Sequence, residues 1–208
     1  MASAQPAGVE KASGEDSMAA SNLIRWGGPA AVLGSLLVVF GDFLSANNWM
    51  YPPAWGAGSA FMVVAITGVY LHLRRSGRIG LSGTVGFYMS IFAFLVIAIT
   101  SLGVLLDLWG ARWFETLEVV DLLIFLGMVM FGVAILRSGR LPRGGAWLII
   151  AFVLAKVGVI VAMAVSGYTL PDLLWSMPLI LFGLGWVWLG YGLWSESRAS
   201  AGQPSRVS

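Results

Sequence analysis

Residues 95–106, LVIAITSLGVLL, and residues 146–155, AWLIIAFVLA, decide the fold. Both runs are apolar on every side. A backbone in lipid must satisfy its own hydrogen bonds, which leaves helices or closed barrels. Barrel strands alternate apolar and polar residues over about ten positions. Neither run alternates, so both read as helices surrounded by lipid or by other apolar helices.

Working outward, uncharged runs recur at membrane length. About 20 apolar residues span the hydrocarbon core. Six spans are expected: 27–46, 56–73, 83–108, 119–136, 146–167 and 173–194. Residues 79–106 and 173–195 hold no charge at all. Composition agrees. Of the 208 residues, 58% are hydrophobic and 11% charged, and the mean hydropathy is +0.85. Soluble domains carry about 25% charged residues. A soluble globular domain, a disordered chain and a nucleic-acid binder with a basic face are excluded. The expected fold is an all-α transmembrane bundle of six helices spanning 22–196. Residues 1–21 (MASAQPAGVEKASGEDSMAAS) and 197–208 (SRASAGQPSRVS) are small, polar and aperiodic. They are expected to be disordered tails. Residues 1–21 carry no apolar run at signal-peptide distance, so no cleaved signal is expected.

Orientation follows from Lys and Arg. Arg74, Arg75 and Arg78, then Arg137, Arg140 and Arg143, fall in the loops after spans two and four. Lys11, Arg25, Arg198 and Arg206 flank the bundle on the same side, and only Arg112 lies opposite. Positive-inside bias places both termini in the cytoplasm. Six spans give the same parity. Trp26, Trp147 and Trp194 fall at inner ends, and Trp49, Trp55, Trp109, Trp113 and Trp175 at outer ends, the headgroup level where Trp concentrates.

Arg75-Ser76-Gly77-Arg78-Ile79 is echoed by Arg137-Ser138-Gly139-Arg140-Leu141. Two readings stand: a triplicated hairpin built from spans 1–2, 3–4 and 5–6, or two cytoplasmic turns that each use Arg, Ser and Gly. Small residues let membrane helices approach closely. Gly158, Ala162 and Ser166 stripe helix 5, with Ala151 and Ala155 beside them. Ser82, Gly86 and Ser90 stripe helix 3, and Gly183, Gly185, Gly190 and Gly192 punctuate helix 6. All are expected to pack within the bundle, with a homodimer seam on helix 5 as the sharper reading. Pro178 either frees the carbonyl of Leu174 or sits in a first turn that tolerates it.

Ionisable residues inside spans mark candidate sites. Glu118 and Asp121 open helix 4, where the dipole favours acids. Thr169-Leu170-Pro171-Asp172 reads as a capping box. Asp42 and Asp107 lie near helix C-termini, where the dipole opposes a carboxylate. Lys156 stands ten residues from the start of its span and eleven from the end, roughly 15 Å from either surface. An ammonium at that depth costs at least ~2.5–3.5 kcal/mol without partner or water. Lys156, Asp42, Asp107 and Asp121 therefore form the candidate polar site. Lys156 is expected to face inward and to bond, directly or through water, to one of the three carboxylates. An anion or proton site and a purely structural ion pair both fit that pattern. Glu115, Glu118 and Asp121 are the one acid cluster that could ligate a hard cation. His72 is read as interfacial, and the aromatic Trp186, Trp188, Tyr191 and Trp194 as packing or lipid contact. No Cys, a single His and no hydrolase, phosphate-loop or zinc motif leave no catalytic residue, metal or cofactor to assign.

The stretches RWGGPAAVLGSLLVVFGDFL (25–44) and MPLILFGLGWVWLGYGLW (177–194) resemble small uncharacterised six-helix integral membrane proteins of bacteria, especially high-GC ones. The three-hairpin plan is similar in architecture to short six-helix acid-resistance proteins, without their motifs. The resemblance implies a bacterial inner-membrane protein and no site residues. The expected function is non-enzymatic: an accessory, regulatory or stress-related membrane component. The alternative is a small-solute or proton-coupled transporter built around Lys156. The lipid bilayer is the expected partner, with a homo-oligomer as a further one and the small-molecule substrate unknown.

Overall fold

A computed structural model describes residues 7–44, 50–77, 79–109, 118–167 and 171–201. Six helices follow in order: α1 (Ala7–Phe43), α2 (Tyr51–Arg75), α3 (Leu81–Leu105), α4 (Glu118–Ser138), α5 (Arg143–Ser166) and α6 (Asp172–Ala201). Each is long and apolar enough to cross a membrane, α1 over Ala20–Phe43 and α6 over Leu174–Arg198. The chain is a multi-pass helical membrane protein.

Two boundaries depart from expectation. Helix α1 begins at Ala7, within the stretch read as a disordered tail, and α6 runs on to Ala201. Once a span has nucleated a helix, adding further turns needs only propagation, which residues such as Ala, Glu and Lys tolerate well.

The helices form a closed ring. Each packs on its neighbour in sequence, and α1 packs on α6. Close backbone approach explains the closure. A Cβ on Gly27 would lie 3.0 Å from the Gly68 Cα, one on Gly86 would lie 2.8 Å from the Gly127 carbonyl oxygen, and one on Gly145 would lie 2.9 Å from that of Gly185. Each contact is reciprocal. The three pairs sit at nearly constant separation along the chain, one in each hairpin, a spacing that the three-hairpin reading accounts for. Gly28 against Gly190 closes α1 on α6 in the same way, a Cβ on either falling 2.7 Å from the other's carbonyl oxygen. With little hydrophobic drive between helices in lipid, such contacts supply much of the packing.

The two echoed turns also share a geometry. Gly77 and Gly139 have φ of 66° and 64°, a left-handed conformation that glycine adopts without a steric cost. The preceding Ser76 and Ser138 hydroxyls donate to the carbonyls of Leu73 and Ile135, at 2.6 and 2.7 Å. Arg78 lies outside the described residues.

The small-residue stripes divide. Those of helices 3 and 6 pack inside the bundle as expected: Ser90 abuts Gly127, and Gly192 abuts Pro142. The helix 5 stripe does not. Nothing lies within 4 Å of a Cβ on Gly158, and Ala162 and Ser166 are exposed. The second half of α5 stands off from its neighbours, and α5 is the least buried of the six spans.

Candidate functional site

A cavity of about 140 Å³ opens in the ring, at the end opposite the Arg-rich turns. All six helices wall it. Helix α1 gives Val38 and Asp42, α2 gives Tyr51 and Trp55, and α3 gives Phe94 and Ile97. Helix α4 gives Asp121, Ile124 and Phe125, α5 gives Phe152 and Lys156, and α6 gives Trp175, Leu179 and Phe182. The phenylalanines form an aromatic layer. Phe152 and Phe182 meet edge to face at 5.2 Å, with Phe125 at 6.1 Å from Phe152 and Phe94 at 6.4 Å from Phe182. Beyond it, Phe182 packs on the fully buried Trp186. Aromatic pairs of this geometry add about 0.5–1.5 kcal/mol each beyond burial.

Lys156 faces inward, at 6% exposure. Among the described residues no carboxylate forms an ion pair with it. The ammonium donates to the Trp175 carbonyl at 2.8 Å and lies 3.6 Å from the centroid of the same residue's indole ring. Of the expected bond to a carboxylate, direct or through water, the direct form is replaced by these two contacts with Trp175. The reason is reach. The four-carbon stem extends toward the first turn of α6, where Trp175 offers a carbonyl and a π-face together. Pro178 contributes to this region. Because α6 has begun by Asp172, Pro178 lies inside the helix and leaves the Leu174 carbonyl without its i+4 donor. Lys156 takes the next carbonyl along.

Asp42 lines the same cavity, half-buried on the last turn of α1. Its Oδ2 is buried without a hydrogen-bond partner among the described residues. A carboxylate oxygen in that state is costly unless water or a ligand reaches it. Its backbone carbonyl accepts from the buried Ser176 hydroxyl at 3.2 Å, which ties α1 to α6 beside Trp175. The indole Nε1 of Trp55 is likewise buried and unpartnered. Asp121, in the first turn of α4, stands at the exposed rim.

Asp107 is not part of the site. Helix α3 ends at Leu105 in a Schellman motif: the Leu108 amide donates to the Gly103 carbonyl, and the Asp107 amide to that of Val104. Asp107 takes the left-handed position, φ 55°, and is exposed. Its role is to stop the helix, since Asp is one of the few non-glycine residues that visit this conformation.

Other tryptophans and His72 make specific contacts. Trp55 and Trp175 line the cavity, and Trp109 packs against Gly103. Trp26 and Trp147 are 65% and 60% exposed. His72 is not merely interfacial: its Nε2 lies 3.0 Å from Glu196 Oε2. Among the described residues no group of three metal-ligating side chains gathers. Trp49, Arg112, Trp113, Glu115 and Thr169, and the side chains of Glu118 and Asp172, lie outside the description.

The site thus presents one ammonium, two carboxylates, an indole donor and four phenyl rings to one small space. Sequence reasoning missed the four phenylalanines, because nothing local distinguishes a cavity-facing Phe from a lipid-facing one. Comparison with protein-family models, with curated proteins and with solved structures finds no match.

Proposed function

We propose that the chain is a solute-binding protein of the bacterial inner membrane, with both termini cytoplasmic and the cavity open to the outer side. This is the transporter-like reading of the sequence, preferred here over the accessory role. The observation that carries it is the convergence of Lys156, Asp42 and Asp121 on one aromatic cavity walled by all six helices. A structural ion pair would bring ammonium and carboxylate into contact and leave no space between them. Here the ammonium rests on Trp175, and Asp42 Oδ2 has no hydrogen-bond partner among the described residues.

The ligand follows from size and charge. A 150 Å³ cavity holds benzene, so about half a dozen heavy atoms fit. Groups of both signs line the space, and its floor is aromatic. A small zwitterion with a short apolar body, of the amino-acid type, satisfies all three: its carboxylate toward Lys156, its ammonium toward Asp42 and its body on Phe152 and Phe182. The aromatic layer closes the inner end, so the geometry supports a carrier-type binding state rather than an open pore.

The test is ligand-observed NMR on the purified protein with alanine, valine, propionate and propylamine. The zwitterions should bind, and each singly charged analogue should bind more weakly. Lys156→Met and Asp42→Asn should both abolish the signal while leaving the protein folded. Absence of binding by any of the four would return the chain to the accessory role.

A further inference from the structure

A second cavity, of about 530 Å³, lies at the Arg-rich end between α1, α2 and α6. It is unrelated to the Lys156 site. Its walls include Asn22 and Arg25 of α1, His72 and Arg75 of α2, and Trp194 and Arg198 of α6. Three arginines far apart in sequence, one from each helix, thus meet at one space.

The packing explains the convergence. The Gly27–Gly68 and Gly28–Gly190 contacts clamp α1 onto α2 and α6 within a turn of Arg25. Arg75 is the last residue of α2, and Arg198 ends the apolar span of α6. All three arginines therefore stand at one level, the boundary of the apolar stretches. Trp26, 65% exposed beside Arg25, marks the same level. The Arg198 guanidinium is held 4.0 Å from the centroid of the Trp194 ring, which orders its donors. Among the described residues one acid, Glu196, lines the cavity and lies 3.0 Å from His72. The described lining thus holds three arginines and one carboxylate.

We propose that this cavity binds the phosphodiester of an anionic phospholipid headgroup. Guanidinium groups match phosphate in charge and in planar donor geometry. Basic pockets between membrane helices at the cytoplasmic face are suited to lipid headgroups. The level of the arginines, flanked by an exposed Trp and opening beside apolar helix surface, selects a membrane-borne phosphate over a soluble one.

The experiment uses the full chain in a neutral detergent and measures retained lipid by native mass spectrometry. Phosphatidylglycerol and phosphatidylcholine with identical acyl chains are offered together. Wild type should retain phosphatidylglycerol preferentially. At about 1 kcal/mol per basic residue near a surface, each of Arg25→Gln, Arg75→Gln and Arg198→Gln should lower the preference about fivefold. The triple variant should show none. A control triple variant, Arg74→Gln with Arg137→Gln and Arg143→Gln, removes equal charge outside the cavity and should keep the preference. If the cavity triple variant unfolds, the single variants Arg25→Gln and Arg198→Gln decide. Three results would overturn the proposal: equal retention of the two lipids by wild type, equal loss in both triple variants, or complete displacement of phosphatidylglycerol by excess inorganic phosphate. The last would show that the cavity reads a soluble phosphate.

Discussion

The Lys156 ammonium is bound twice by one residue, through the carbonyl of Trp175 at 2.8 Å and the face of its indole ring at 3.6 Å. A desolvated cation over an indole is stabilised by about 2 kcal/mol. Trp175→Leu removes the ring and keeps the carbonyl. In a cycle with Lys156→Met, measured by unfolding in mixed micelles, a coupling of about 1–2 kcal/mol is expected. Strict additivity would mean that the ring contact contributes nothing.

Asp107 occupies a left-handed position that costs a non-glycine residue about 1 kcal/mol. Asp107→Gly should therefore raise the stability of the bundle by up to about that amount, because the Schellman hydrogen bonds need only the backbone. The variant should also bind solute as wild type does. Loss of binding would restore Asp107 to the site.

Two glycines with similar sequence surroundings should respond in opposite directions. At Gly86 a Cβ meets the Phe131 amide nitrogen at 2.7 Å, so Gly86→Ala must push α3 from α4 and should cost about 1–3 kcal/mol. At Gly158 a Cβ meets nothing, so Gly158→Ala should be neutral or stabilising by up to about 1 kcal/mol. Thermal unfolding of the two variants side by side reads both. Destabilisation by Gly158→Ala would point to a neighbour on that face, such as a second copy of the chain.

Helix count, span positions and the inward direction of Lys156 were legible in the sequence, because apolar length and the cost of a bare ammonium are properties of single segments. The partner of Lys156 was not. Charge alone pointed to three carboxylates, but a carbonyl and a π-face at the start of α6 appear only once α5 and α6 are packed. Asp107 misled for a related reason. A carboxylate at a helix C-terminus looks unexplained until the Schellman hydrogen bonds show that the backbone, rather than the charge, chose the position. Glycine stripes were equally ambiguous: Gly86 and Gly158 read alike, and only the ring geometry puts one against α4 and leaves the other bare.

The chain contains no cysteine, so single substitutions report topology without background. Arg140→Cys and Asp107→Cys place thiols on exposed residues at opposite ends of the bundle. With both termini cytoplasmic, an impermeant maleimide should label residue 107 in intact cells and residue 140 only after lysis. The reverse pattern would invert the orientation.

Lys156 lines a cavity at the end opposite the Arg-rich turns, and aqueous solutes should reach it from that end. Lys156→Cys in sealed vesicles of known orientation tests it with a small charged thiosulfonate added to either face. Modification is expected from the cavity face, slowed by the zwitterion that binds, and absent from the Arg-rich face. A thiol at residue 156 that reacts from neither aqueous side, yet reacts with a lipid-soluble reagent, would contradict the claim.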